Sequence, residues 1–340
     1  MTSRPEQKPA WRSVPARVRS AVAEALGSPV LRAQRAWGGY SATPTFRLRL
    51  ADGRRAFFKS AGPASTAFAR VAHEREERVY RELGDVISGW SPRFLSGFAV
   101  NDWRVMLLED VGPKTAPPWS RALARHVARG LAAFHGAVRG REIPLWVPRP
   151  DRHPALGIRP PAWKLEVRDL DLLAGLARDR SREARAWLRS EAPVLAKVAA
   201  QLADPGFSHT LLHVDVRSDN LRWVGGRLVL FDWPHVAVGP PEFDAAAFAQ
   251  TVTVEGGPDP ERLMAWYGEE WPVESRALDA SVAAIAGYFA RNAWVPELPE
   301  LPRVRAFQRA QLAVTLRWAA RRLDLPKPAW TDAIDGDQAR

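Results

Sequence analysis

Residues 211–232 read LLHVDVRSDNLRWVGGRLVLFD. An apolar run enters a short polar loop that carries His213, Asp215, Arg217 and Asn220. Two further apolar runs, LRWV and RLVLF, meet at Gly225-Gly226 and end on Asp232. Apolar stretches around a Gly-Gly dipeptide predict a β-hairpin. The hairpin would return Asp232 to the loop holding Asp215 and Asn220, so that three oxygen-bearing side chains converge. An ordinary polar turn, whose Asp, Ser and Asn side chains bond their own backbone, accounts for any one of them. It does not account for the ordered set.

That set suits phosphoryl transfer. One carboxylate can orient a substrate hydroxyl and accept its proton, while an amide and a second carboxylate offer hard oxygen ligands to Mg²⁺. Asp215 and Asn220 stand five positions apart, the spacing of the kinase catalytic loop, and Asp232 comes after them like the metal-binding Asp of a D-F-G motif. Trp233 and Pro234 stand in place of the Phe-Gly.

The 340 residues suffice for two lobes and a sizeable core. The absence of cysteine excludes a disulfide framework and a thiolate zinc site. The seven histidines show no metal-ligand spacing. No apolar run approaches the ~18 residues of a membrane span, and the first twenty residues lack the apolar stretch of a signal peptide. A cytoplasmic protein that binds no membrane is the expectation. The net charge of +11 raises nucleic acid as a partner. Its distribution argues otherwise: residues 241–340 hold 15 acids and 11 bases, the basic excess lies upstream, and there is no block of like charges. Many arginines sit at helical spacing beside alanines, as on a solvated helix face. No nucleic-acid partner is expected.

Along the chain, residues 1–18 are polar and Pro-bearing and are expected to be flexible, although ARVRSAVAEAL reads as a short helix closed by Gly27. VLRAQRAW, TFRLRL and AFFKS read as a three-stranded antiparallel meander. Residues 65–83 form a helix with apolar positions at Phe68, Val71, Val79 and Leu83. FLSGFAV and DWRVMLLED add two strands. After the turn formers of Pro113 to Pro118, long helices are expected at 119–138, 166–178 and 181–203, then at 242–252, 275–292 and 302–323. The fold class is α+β. An N-terminal lobe, residues 1–112, has a five-stranded antiparallel sheet and one helix, and a mostly helical lobe spans 113–330.

The small lobe offers parts of a triphosphate grip. Gly38-Gly39-Tyr40-Ser41 lies between two strands, where glycines permit close backbone approach to phosphate and Ser41 can donate a hydrogen bond. Lys59 ends the third strand and can reach phosphates if an acid holds it. Glu74, Glu76 and Glu77 on the next helix are the candidates. A P-loop, a dinucleotide fingerprint and a zinc-binding His-Glu-x-x-His are all absent.

In this order the chain resembles the aminoglycoside phosphotransferase-like branch of the protein-kinase-like fold, over roughly residues 30–320. The most specific segments are HVDVRSDN and LVLFDW. The resemblance implies a two-lobed kinase-like fold and an ATP- and Mg²⁺-dependent enzyme, with GTP not excluded. It implies Asp215 as the catalytic carboxylate, Asn220 and Asp232 as magnesium ligands, and Lys59 paired with Glu76 at the phosphates. Leu108, Glu109 and Val111 would offer backbone groups to adenine. Asp244 resembles the acid that braces the catalytic loop; an ordinary first-turn helix acid is the alternative. Arg217 could neutralise charge on the transferred phosphoryl, or form a salt bridge without phosphate. Val214 departs from the Gly usual there, and Pro234 stiffens the chain after Asp232.

Only eleven residues separate Asp232 from Asp244 and no Ala-Pro-Glu comes after them, which argues against a peptide substrate. The expected acceptor is a small-molecule hydroxyl on an aminoglycoside, other amino alcohol, sugar or macrolide, used by a monomer or homodimer. Glu255, Asp259, Glu261, Glu269 and Glu270 would suit a cationic acceptor. Trp266, Tyr267, Trp271, Tyr288 and Trp294 could stack on a sugar or cage an ammonium, although most are expected in the core. A catalytically silent kinase-like binding protein and a basic nucleic-acid binder are the competing readings.

Overall fold

Alternation of apolar residues along the first strands produces a sheet with two buried faces. The computed structural model describes residues 8–36, 43–153, 163–297, 301 and 303–334. Strands β1 (Val30–Arg35), β2 (Thr45–Leu50), β3 (Arg55–Ala61), β4 (Phe94–Val100) and β5 (Trp103–Glu109) form an antiparallel sheet in the order β1-β2-β3-β5-β4. Phe46, Leu48 and Leu50, two residues apart, point to one face. There they meet Val14, Val18, Val22 and Leu26 from α1 (Ala16–Leu26) and the turn before it. Met106 and Leu108 of β5 point the other way, into the main core with Val79, Tyr80 and Leu83. The expectation of a flexible residue 1–18 segment fails for residues 8–18. The Trp11 ring packs edge-on against Phe46 and Phe58 at 5.2 Å each, so apolar contact anchors the segment.

Helix α2 (Ala67–Glu82) starts where the Thr66 hydroxyl accepts the Ala69 N–H at 3.2 Å. Its buried face is His73, Glu76, Val79 and Tyr80. Phe68 and Val71, expected on the apolar face, are 71% and 45% exposed. Two polar residues take the inward positions, and for one of them, Glu76, β3 supplies a charged partner in Lys59.

The second lobe is helical, with α3 (Arg121–Val138), α4 (Val167–Gly175), α5 (Ser181–Ala199), α6 (Glu242–Val254), α7 (Pro260–Tyr267), α8 (Ser275–Asn292) and α9 (Val304–Arg322). Helix α7 is not among the helices expected from sequence, nor is the short antiparallel pair β6 (Thr210–Leu212) and β9 (Ala237–Gly239). The hairpin β7 (Leu221–Val224) and β8 (Arg227–Leu230) forms as expected, with Gly225 and Gly226 at φ 57° and 77° in its turn. Helix α6 is buried along residues 242–252, with no solvent face over that length. It sits directly behind the polar loop.

Candidate active site

β6 delivers His213 into the loop, and α6 fixes the backbone there. Asp244, in the first turn of α6, accepts the backbone N–H of His213 and that of Val214, each at 2.7 Å. The helix acid therefore braces the loop. His135 of α3 contacts the same carboxylate at 3.3 Å and the Tyr267 hydroxyl at 2.7 Å. The His213 ring nitrogen Nε2 lies 3.0 Å from the Phe231 carbonyl, which can only accept, so this nitrogen carries the proton. Burial, outweighing the nearby Asp244 and Asp215, lowers the His213 pKa and keeps the ring neutral. Val214 sits at φ 73°, a left-handed conformation costly for a β-branched residue, which gives a backbone reason for glycine at this position.

Beyond Val214 the loop turns through Ser218–Asn220. Asn220 Nδ2 donates to the Asp215 carbonyl at 3.0 Å and to Asp215 Oδ2 at 2.7 Å. Arg217 Nε lies 3.2 Å from the same Oδ2. With its nitrogen engaged, the Asn220 amide offers Oδ1 as an acceptor. The Asp219 carboxylate pairs with Lys114 at 2.7 Å, tying the loop to the segment between the lobes.

The small lobe meets this loop through an ion-paired chain. Lys59 Nζ contacts Glu76 Oε2 and lies 2.7 Å from Asp232 Oδ1. Of the three candidate glutamates, Glu74 pairs instead with Arg104 and Glu77 with Arg81. Burial opposes charge on Lys59, but Asp232 and then Glu76 outweigh it and hold the ammonium above its usual range. Burial also opposes charge on Asp232, where Lys59, helped by Arg217 and His235, keeps the carboxylate ionised far below the usual range. On Glu76, the more buried acid, burial prevails over Lys59 and raises the pKa, with Asp232 adding to it. One ammonium cannot fully neutralise two acids, so the proton affinity of the trio collects on Glu76.

Asp215, Arg217 and Asn220 are thus in contact with one another, and Lys59 touches both Glu76 and Asp232; Arg217 acts electrostatically on Asp232 and links the groups. Leu108 and Glu109 end β5, with Val111 just beyond; the Glu109 N–H donates to the Arg93 carbonyl at 2.9 Å. Gly38, Gly39 and Ser41 lie outside the described residues. Asn220 Oδ1 and the second oxygen of Asp232 are the hard-oxygen groups on offer here, and the Phe231 N–H, donating to the Asn220 carbonyl at 3.0 Å, holds the hairpin end beside the loop. Among the described residues no group of three or more His, Asp or Glu could hold a metal. A cation here would complete its shell from phosphate and water, the habit of Mg²⁺ rather than of a caged structural ion.

The acids expected to attract a cationic acceptor are already engaged. Glu269 pairs with Arg125 at 2.8 Å, Glu270 with Arg129, Asp259 with Arg321 at 3.0 Å and Glu261 with Arg322 at 2.8 Å. Glu255 accepts from Ser218 and from the Trp119 indole. Trp266, Tyr267 and Trp271 are core residues. Tyr288 is 38% exposed, and the charges of Asp215, Arg217 and Arg305 act on its hydroxyl, whose pKa is raised chiefly by burial. Lys114, Glu255 and Tyr288 carry no sequence signal that places them around this loop, because each lies tens of residues away.

No curated protein matches the chain in sequence. A spectinomycin phosphotransferase solved with ADP and spectinomycin is 12% identical with a TM-score of 0.57, the match covering 95% of this chain and 98% of that one. An amicoumacin kinase solved with AMP-PNP, Ca²⁺ and its substrate is 12% identical with a TM-score of 0.54, over 86% and 92%. The choline kinase LicA from Streptococcus pneumoniae is 14% identical with a TM-score of 0.52, over 87% and 97%. These likenesses establish a kinase-like, two-lobed α+β fold. The family model of the APH phosphotransferase enzymes matches residues 32–278, most of the length, and the chain belongs to that family.

Proposed function

We propose that the protein transfers the γ-phosphoryl group of ATP to a hydroxyl of a small molecule. The observation that carries this reading is the Glu76–Lys59–Asp232 chain joining the small lobe to the end of the hairpin, beside a loop in which Asn220 and Asp215 touch. Asp215 Oδ2 is taken by Asn220 and Arg217, which leaves Oδ1 to orient the acceptor hydroxyl and receive its proton. Glu76 holds Lys59 where it can exchange Asp232 for the nucleotide phosphates. Asn220 and Asp232 would hold Mg²⁺, which would neutralise charge building on the phosphate oxygens. Arg217 places a further cation beside the transferred group. Backbone groups of Leu108 and Val111 and the Glu109 carbonyl are the ones assigned to the adenine, the Glu109 N–H being engaged by Arg93. The spectinomycin, amicoumacin and choline kinases of similar fold support a small acceptor.

On the Tyr288 side of Asp215 two arginines favour a neutral or anionic acceptor over a cationic one. Arg217 is adjacent, and among the described residues Arg305, 8% exposed, hydrogen-bonds the neutral oxygens of Pro296, Asn292 and Gln308. A cation approaching the Tyr288 side meets both arginines. Purified protein with ATP and Mg²⁺ should phosphorylate neutral polyols or hydroxy acids in preference to matched amino alcohols. Asp215→Ala should abolish the transfer while nucleotide affinity is kept. Equal activity in that variant would sink the mechanism, and preference for the amines would sink the acceptor assignment alone.

A further inference from the structure

Three segments far apart in sequence meet behind the catalytic loop. Glu255 caps the C-terminal end of α6, and its two carboxylate oxygens are both used: Oε1 accepts the Ser218 hydroxyl at 2.5 Å and Oε2 accepts the Trp119 indole N–H at 2.6 Å. Ser218 opens the turn that ends in Asn220 and is almost fully buried. Trp119 ends the segment that crosses between the lobes. The same segment reaches the loop again through the Lys114–Asp219 pair, and the hairpin after it through Thr115 Oγ1, which accepts the Trp223 N–H of β7 at 3.3 Å. Burial raises the Glu255 pKa, the Ser218 and Trp119 hydrogen bonds pull it back, and Lys114 and Asp219 are the charged groups facing it.

We infer that Glu255 is a positioning residue, which fixes the Ser218–Asn220 turn against the inter-lobe segment and thereby sets where Asn220 and Asp215 stand. The inference rests on the roles proposed above for those two residues. Its basis is geometric. Asp244 grips the loop at His213 and Val214, before Asp215, and Glu255 grips it at Ser218, after Asp215. Asp244 lies in the first turn of α6 and Glu255 caps its C-terminal end, so the two ends of one helix hold the loop on either side of the reacting carboxylate. The turn's other tethers on that side leave the Ser218 side chain alone: Lys114 pairs with Asp219, Arg222 Nη1 donates to the Ser218 carbonyl at 3.3 Å, and the Phe231 N–H donates to the Asn220 carbonyl at 3.0 Å. A side chain that orients a reacting group through one intermediary commonly matters 10–100-fold, roughly as ligand-orienting residues do at metal sites.

The test is steady-state kinetics on full-length protein with the best acceptor found, for Ser218→Ala, Glu255→Ala, their double variant and Glu255→Gln. Ser218→Ala and Glu255→Ala should each lower kcat about 10-fold or more while the nucleotide KM stays within about 2-fold. The double variant should be no worse than the poorer single one, since both remove one contact. Glu255→Gln, whose amide can accept from Trp119 and donate to Ser218, should recover most of the loss. A purely structural role would instead give additive losses of thermal stability with kcat unchanged in the folded fraction, and that result overturns the inference, as does a full loss in Glu255→Gln. If wild-type protein transfers phosphate to no acceptor, the kinase reading falls and this inference with it. An active wild type with unaffected variants removes the inference alone.

Discussion

The Val214 N–H donates to Asp244 Oδ1 at 2.7 Å while Val214 itself holds φ 73°. The bond fixes a backbone conformation that the side chain resists. Replacing a buried valine ordinarily costs more with glycine than with alanine, because glycine loses more chain entropy. Here the order should reverse. Alanine keeps the strain and loses the apolar burial, whereas glycine relieves strain worth about 1–2 kcal/mol. Val214→Gly should be the more stable variant by about 1 kcal/mol in urea unfolding.

Lys59 neutralises the buried Glu76, and removing one partner of such a pair leaves an uncompensated charge. Lys59→Met should therefore lower stability by about 3 kcal/mol without nucleotide. Adding Glu76→Gln should recover most of it. The deficit should shrink as pH falls, because the protonated Glu76 carboxyl needs no counter-charge. Denaturant titrations of the single and double variants at neutral and mildly acidic pH check all three outcomes.

Buried neutral histidines predict acid sensitivity. Burial first, then Lys59 and Arg104, lowers His73 from 6.5 to about 3, and burial first, then His235, lowers His153 to about 4. Both folded values lie below the unfolded one, so the unfolded chain binds more protons between them. Their stabilisation is complete above pH ~6.5 and is lost as pH falls below it, by up to about 1.4 kcal/mol per unit for each ring. His73→Leu should flatten the fall of unfolding free energy measured between pH 6.5 and pH 4.5.

Glu269 and Glu270 pair with Arg125 and Arg129 on exposed surface between α7 and α3. Exposed pairs contribute little, so Glu269→Gln with Glu270→Gln should cost under about 1 kcal/mol. Acceptor preference should not change. Arg305→Gln, in contrast, should weaken any preference for anionic over neutral acceptors, read as a rise in acceptor KM.

Much of the fold is legible in the sequence because turn chemistry and alternation are local signals. The Gly225-Gly226 hairpin, the meander and the limits of α2 and α8 lie close to where composition places them. Helix α2 shows the limit of apolar periodicity. Its inward positions include His73 and Glu76, while Phe68 lies on the surface with its ring 6.5 Å from that of His235. Glu76 is inward because Lys59 faces it from β3, a fact of tertiary pairing. Glu255 misleads for the same reason. Its charge suggests an acceptor pocket, yet its partners Ser218 and Trp119 lie 37 and 136 positions away. Glu261, Glu269 and Glu270 look available in sequence and meet arginines only once α3, α7 and α9 pack.

Helix α6, buried along residues 242–252, cannot open without disturbing the core around it. A loop held at two points by such a helix shares its resistance to local unfolding. Amide protons of the Asp215 loop should exchange on the timescale of global unfolding, although loops ordinarily exchange early. Tolerance to substitution divides the same way. Under the proposed function, the groups assigned to phosphate are anchored in the interior, while Tyr288 on the proposed acceptor side is partly exposed, so that sequence there can drift and leave the chemistry standing.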